Sequence, residues 1–323
     1  MLQQLERKKK RQQKQESQQR EAAERLRPPS KEEQERVKKI WYTGRENDVL
    51  VTQFNIKMLR GDLGRLNGSE WLNDEVANFY LELLRERAVK HAPKYPRCHV
   101  FNSHFYALLD EWGYSRVRTW TRKVRTKKHR RGDTDAPQVL TVEPPPPPPP
   151  PPQQIDIFAF DKIVIPVHLG NHWCLSVINF QRKRFEYYDS MGGRNPRCLS
   201  LLREYVKSES NDKKKVPFDL SGWCDYSPSD IPQQRNGHDC GVFMCKFAEA
   251  VMRESIEDDD SSDGDTDSDG DGDGDGETVV PARIQQVSAR HQRKPMHFEF
   301  SQAHMPGFRQ RMVLEIVDCT PVP

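Results

Sequence analysis

A chain of 323 residues, 35% hydrophobic and 31% charged, can bury one large core or two small ones, diluted by polar tails or insertions. There is no apolar leader and no run of about 18 apolar residues, and the seven cysteines include no Cys-x-x-Cys pair, so no signal peptide or membrane span is expected and neither a disulfide framework nor a zinc ribbon is suggested. The net charge is only +3, but basic residues crowd the N-terminus and 116–131 while acidic residues crowd 257–277, so a soluble, intracellular protein with strong local fields is expected.

Residues 1–40 are mainly Gln, Lys, Arg and Glu, and read as a basic arm, mostly disordered or helical, that cannot bury a core. Within it, Pro28-Pro29 breaks the pattern, and Ser30 with Glu33 forms a capping box that opens a short helix. Patterned sequence begins near Trp41, and 41–323 reads as one domain. Leu50 to Ile56 alternates like a strand. Leu72, Val76, Phe79, Tyr80, Leu83 and Leu84 recur at helical spacing, with Asn73 or Asp74 near the cap. Phe105, Leu108, Leu109 and Trp112 predict another helix. Ile155 to Val167 reads as a β-branched strand, Trp173 to Phe180 as a second, Gln181 to Arg184 as a turn and Phe185 to Tyr188 as a third. Pro196 to Lys207 looks helical. Cys240 to Val251, with Phe243, Phe247 and Val251 on one face, reads as a buried helix. Phe298, Phe300, Met305, Phe308, Met312, Leu314 and Ile316 supply apolar cover near the C-terminus.

Two segments are foreign to this pattern and read as disordered surface insertions, since doubling a loop's length costs only about 0.6 kcal/mol. One, about 126–154, contains nine consecutive prolines, Pro144 to Pro152. As a polyproline II rod these span about 28 Å, either as a stiff spacer or as a ligand for an SH3- or WW-type domain. The other, about 257–294, is dominated by Asp and Gly. Asp265-x-Asp267-x-Asp269-Gly270 resembles the start of a calcium loop, but the twelfth position, which needs a bidentate Glu, is Gly276. No metal is expected there.

The chemistry gathers around Cys240. A polar turn, Gln233 to Asp239, runs directly into the apolar helix that Cys240 opens. A thiol at that position faces unpaired backbone N–H groups and the positive end of the helix dipole, both of which favour thiolate. His172 stands at a strand start, and the hairpin closed at Gln181–Arg184 returns Asp189 roughly opposite it, the arrangement in which a carboxylate orients a base. His168 and His238 are rival bases. Gln234, six residues before Cys240, could join the Cys240 backbone N–H in an oxyanion hole, with Gln233 as the alternative.

These stretches, taken together, resemble the SUMO-specific (sentrin-specific) protease family of ubiquitin-like-protein proteases. The matching residues are Trp71-Leu72-Asn73-Asp74, Phe101 to Tyr106, Trp120-Thr121-Arg122-Lys123, Ile165 to Trp173, Tyr188-Asp189-Ser190-Met191, Gln234 to Phe243, and His304-Met305-Pro306 with Arg309, Arg311-Met312 and Glu315-Ile316. They occur in the family's order and cover roughly 41–125, 155–255 and 295–318. The resemblance implies a papain-like α+β fold, a mixed central sheet flanked by helices. It implies a triad of His172, Asp189 and Cys240 with Gln234 at the oxyanion hole, and no cofactor or metal. It also implies that Trp71 and Trp173 enclose a narrow tunnel for a Gly-Gly tail, and that Asp74 and Arg122 contact the modifier. Thr119 stands where the family usually has a basic residue, with Arg118 and Arg122 nearby as substitutes, and His238 stands where it has a small polar one. The expected partners are a SUMO-type modifier and its conjugates, with no membrane. The run Arg7-Lys8-Lys9-Lys10-Arg11 fits nuclear targeting, at the envelope or nucleolus, with some cytoplasmic protein. Nucleic acid is not expected as the main partner, because the arm lacks interleaved aromatic residues.

Overall fold

A computed structural model of the chain describes residues 2–121, 155–254 and 295–321. Arg122, the proline run and the acidic Asp/Gly stretch lie outside the described residues. The elements run α1 (Leu2–Leu26), α2 (Lys31–Tyr42), β1 (Val49–Gln53), β2 (Ile56–Leu59), α3 (Arg60–Gly64), α4 (Asp74–Lys90), β3 (Cys98–Val100), α5 (His104–Trp112) and α6 (Tyr114–Val117). They continue with β4 (Lys162–His168), β5 (Trp173–Asn179), β6 (Arg184–Tyr188), α7 (Pro196–Glu209), β7 (Cys224–Tyr226), α8 (Cys240–Arg253) and α9 (Met305–Asp318).

This is the α+β class that the sequence implied. Five strands form a mixed sheet in the order β3-β4-β5-β6-β7, with an antiparallel β4–β5–β6 meander and parallel pairs at both edges. Val164, Leu175, Val177 and Tyr188 face a core shared with α4, α8 and α9. Ile163, Ile165, Val167, Cys174 and Ile178 face a second core shared with α5 and α7. Every residue of β5 is therefore buried, and the strand reads as a near-continuous apolar run instead of an alternation. In β6 the buried charges satisfy each other: Glu186 accepts from Arg184 Nε, Asn179 Nδ2 and Tyr188 Oη, each at 2.9 Å.

Three sequence expectations change. The strand read over Leu50 to Ile56 is an antiparallel hairpin, β1–β2, turning at Phe54 and Asn55, which both have left-handed φ, 55° and 59°. Such a turn usually announces itself by glycine. Here Phe54 adopts it while its ring packs edge-on against Phe79 at 5.3 Å. The strand read over Ile155 to Val167 begins only at Lys162, because Asp156 caps a 3-10 turn at Ile157–Ala159 by accepting from Phe158 N–H. Core packing also starts before Trp41. The Ser30–Glu33 capping box opens α2, and α2 buries Val37 completely.

The last turn of α1 is held too. Arg311 on α9 donates to the carbonyls of Glu24, Arg25 and Arg27, placing a cation on the negative end of that helix. Lys162 does the same for α8: its buried ammonium donates to the carbonyls of Val251 and Glu254, both at 2.7 Å. The C-terminal end of α8, the helix that Cys240 opens, is thus fixed from β4. Among the described residues no helix is long and apolar enough to cross a membrane.

Candidate active site

His172 immediately precedes β5, and Asp189 immediately follows β6. The β5–β6 register pairs Leu175 with Tyr188, so the two side chains meet at the same end of the sheet. His172 Nε2 donates to Asp189 Oδ1 at 2.7 Å. Asp189 also accepts from the backbone N–H of Met191 at 2.8 Å and from that of Gly193. A Cβ at Gly193 would stand 2.3 Å from Asp189 Oδ2, so only glycine lets this backbone approach the carboxylate. Burial pushes the Asp189 carboxyl up, but the hydrogen bonds from His172 and the backbone outweigh it and hold the group below its ordinary value.

Cys240 is the first residue of α8, buried, with its thiol hydrogen-bonded to His172 and to the backbone N–H groups of Trp173 and Gly241. Burial raises the thiol, yet these partners more than offset it, and the net shift is downward. The His172 imidazole is pushed up to about 12, first by Asp189, then by Cys174 and Cys240. A thiol lowered by a raised imidazole is the arrangement that favours a thiolate–imidazolium pair, the form in which a cysteine attacks and its histidine can return a proton.

Of the rival bases, His168 stacks on the Trp173 indole at 4.2 Å and 13°. The His238 ring lies 3.9 Å from Asp239. Neither is among the groups that hydrogen-bond Cys240. Gln234 is fixed from both ends of its amide: Oε1 accepts from Ser190 Oγ and Nε2 donates to the Asn236 carbonyl, each at 2.6 Å. Its second amide hydrogen has no protein acceptor among the described residues. Gln233 is exposed, with its amide lying over Gly192.

Trp71 is tied to the turn before Cys240, and Trp173 to the Trp71–Leu72 segment. Trp71 is 47% exposed, and its Nε1 donates to the Gly237 carbonyl at 2.8 Å. Trp173 is buried, and its Nε1 donates to the Leu72 carbonyl at 3.1 Å. A Cβ at Gly241 would come within 2.9 Å of the Leu72 side chain, so glycine after Cys240 lets Leu72 settle on the start of α8. Asp74 is the first residue of α4, half-buried, with no side-chain hydrogen bond among the described residues. Arg122 lies outside them.

Sequence reasoning missed one member of the site. Cys174 hydrogen-bonds His172, and the donor atoms of His172, Cys174 and Asp189 all lie within 4.8 Å of one another. The signal was available, since residues two apart on a strand share a face. Burial holds the Cys174 thiol up, in contrast to Cys240. Two cysteines touch one imidazole, and of the two only the Cys240 thiol, at a helix N-terminus, is shifted downward.

The profile of the Ulp1 protease family, C-terminal catalytic domain, matches residues 70–269. The chain is 35% identical to a sentrin-specific protease of Caenorhabditis elegans over 281 residues, 87% of this chain and 30% of that protein. It is 35% identical to sentrin-specific protease 2 of Homo sapiens over 213 residues, 65% of this chain and 31% of that one. The chain therefore spans about 30% of the length of these relatives. Among solved structures, the C-terminal Ulp1 protease domain in complex with SMT3, the yeast ortholog of SUMO, matches with a TM-score of 0.57 at 22% identity, over 91% of this chain and 97% of that one. The Ulp1-like SUMO protease catalytic domain of Chaetomium thermophilum matches with a TM-score of 0.55 at 22% identity, over 91% of each chain. At that identity the likeness speaks to the fold.

Proposed function

Since the chain belongs to the Ulp1 protease family, C-terminal catalytic domain, we propose that it is a thiol protease and isopeptidase that cleaves after the C-terminal Gly-Gly of SUMO, in precursor maturation and in release from lysines. The observation that carries this reading is the Cys240 thiol held between His172 and the N-terminus of α8. The Cys240 thiolate attacks the last glycine's carbonyl carbon. The Cys240 N–H and the free hydrogen of the Gln234 amide stabilise the oxyanion. His172 gives its proton to the departing amine, leaving a thioester on Cys240. Water, deprotonated by His172, then hydrolyses the thioester and restores the thiolate.

Trp71 and Trp173 leave room for residues without Cβ, which selects a Gly-Gly tail but cannot separate SUMO from other modifiers that end the same way. Discrimination then falls to the modifier's folded body, through Asp74 and Arg122. The test is a panel of C-terminal fluorogenic conjugates of SUMO, ubiquitin and other ubiquitin-like modifiers. Turnover should be confined to SUMO, and equal turnover of ubiquitin would sink the assignment. Asp74→Lys should lower kcat/KM on SUMO more than on a short Gly-Gly peptide, and salt should shrink the difference. Equal losses on both substrates would mean that Asp74 only supports α4.

The same reading extends to address and partners. The run Arg7 to Arg11 supports nuclear targeting, and a fluorescent fusion with these residues changed to alanine should lose its nuclear accumulation. The proline run Pro144–Pro152 is proposed as a ligand for an SH3- or WW-type domain.

A further inference from the structure

Two segments far apart in sequence meet on one guanidinium of a third. Arg309, on α9, is only 4% exposed. Its Nε donates to Asp239 Oδ1 at 2.8 Å, and Nη1 donates to the Arg65 carbonyl at 3.0 Å. Nη2 donates to the carbonyls of Glu70 at 3.1 Å and His238 at 2.9 Å. These acceptors belong to the turn after α3, to the residue before Trp71, and to the two residues before Cys240. Gln302 adds a second grip on the same turn: Nε2 donates to Asp239 Oδ2 at 2.7 Å, and Oε1 accepts from the Arg235 N–H at 2.8 Å. Asp239 is itself buried, and its Oδ2 also accepts from Asn236 Nδ2 at 2.7 Å. A guanidinium carries five N–H donors in one rigid plane, whereas an ammonium carries three on a flexible stem. Arginine can therefore hold these acceptors at a fixed spacing, and lysine cannot.

We infer that Arg309 is a positioning residue that fixes the Cys240 turn relative to the Glu70–Trp71 segment, so that the thiol stays aimed at His172 while Trp71 walls the approach. The inference rests on Cys240 being the nucleophile of the proposed reaction. Arg311 supplies the internal control. It lies two residues further along α9, is also buried, and also donates to backbone carbonyls, but to those at the end of α1 instead of the Cys240 turn.

The experiment compares Arg309→Lys and Arg311→Lys in the full chain. It reads Tm, kcat and KM on a SUMO fluorogenic conjugate, and the pH midpoint of Cys240 alkylation by iodoacetamide, followed by mass spectrometry. Arg309→Lys should lower kcat about 100-fold, the penalty for small misplacement of a reacting group, with KM held within about threefold because the modifier's body still binds. Its alkylation midpoint should rise, since the charge is kept and only the geometry is lost. Arg311→Lys should lower Tm and leave kcat and the midpoint at wild-type values. If Arg309→Lys merely reproduces Arg311→Lys, the role is structural and the inference fails. If wild type does not turn over the conjugate, the SUMO reading falls, and the alkylation midpoint still decides: no rise in Arg309→Lys overturns the positioning role. Should Arg309→Lys not fold, Asp239→Asn takes its place. Removing a negative charge beside the thiol would by itself lower the midpoint, so a rise there reports lost geometry, and anything else counts against the inference.

Discussion

Cys240→Ser should leave a folded protein that binds SUMO normally and turns it over too slowly to measure, a loss on the order of 10⁶ in kcat, as when a protease loses its nucleophile. The physical reason is the kind of activation that the site provides. His172, the Trp173 and Gly241 N–H groups and the helix start together hold a thiol below its ordinary value. A serine hydroxyl begins so far above that range that the same partners leave it protonated. Six other cysteines remain in the variant, and Cys174 is the one that could mislead, because it too touches His172. Burial keeps Cys174 a thiol, so it should not rescue turnover. Residual activity above a few per cent, confirmed by labelling of Cys174 with a SUMO-derived electrophile, would move the nucleophile to β5.

Asp189→Asn should lower kcat by about 10⁴, the cost of the corresponding change in a serine protease triad, while KM stays near wild type. The carboxylate is the largest contributor to the raised His172 imidazole, so its loss also reshapes the pH profile. In wild type, kcat/KM should climb with pH through the depressed Cys240 value and hold until the imidazolium is lost near 12. In the variant the imidazolium deprotonates earlier and the thiol, losing its charged partner, deprotonates later. The plateau should narrow from both sides into a bell. Stability has its own sign. Asp189 is lowered in the folded state, so its contribution is present above the ordinary 3.8 and is lost as pH falls through the folded value. His172 is raised, so its contribution is full below the ordinary 6.5 and is lost as pH rises toward about 12. The Tm difference between variant and wild type should therefore be largest between those two ordinary values. A flat Tm difference across pH, with an unchanged rate profile, would remove Asp189 from the catalytic unit.

How far the sequence spoke depended on whether the signal was local. The helices α4, α5, α7 and α8 follow from apolar spacing and caps such as Asn73, which accepts from the Val76 N–H at 3.1 Å. The His172–Asp189 pairing was legible because a short turn fixes hairpin register, and register fixes which side chains meet. Choosing His172 over His168 and His238, and Gln234 over Gln233, was not legible from chemistry alone. That choice depends on which way each side chain points, and only the resemblance to a family supplied it. The β1–β2 turn was hidden because Phe54 and Asn55 carry left-handed backbone without glycine. The placement of α1 was hidden because a helix with few apolar residues is held by polar contacts to Arg311, Lys94 and Glu299. Arg309 was visible as part of a motif, but its acceptors lie 70 or more residues away in sequence, and no periodicity reports a partner at that range.

The clamp on Asp239 also sets an order of events during synthesis. His172, Asp189 and Cys240 all leave the ribosome before the residues that pin the Cys240 turn, because Gln302 and Arg309 lie more than sixty positions downstream. A growing chain long enough to contain the whole triad would still have a loose nucleophile. A polypeptide stopped by a premature codon between Cys240 and Met305 would share that condition, carrying every reacting group and lacking the helix that aligns them. Proteolytic competence would then arrive only once α9 has been made, so that fragments and growing chains without it lack an aligned thiolate.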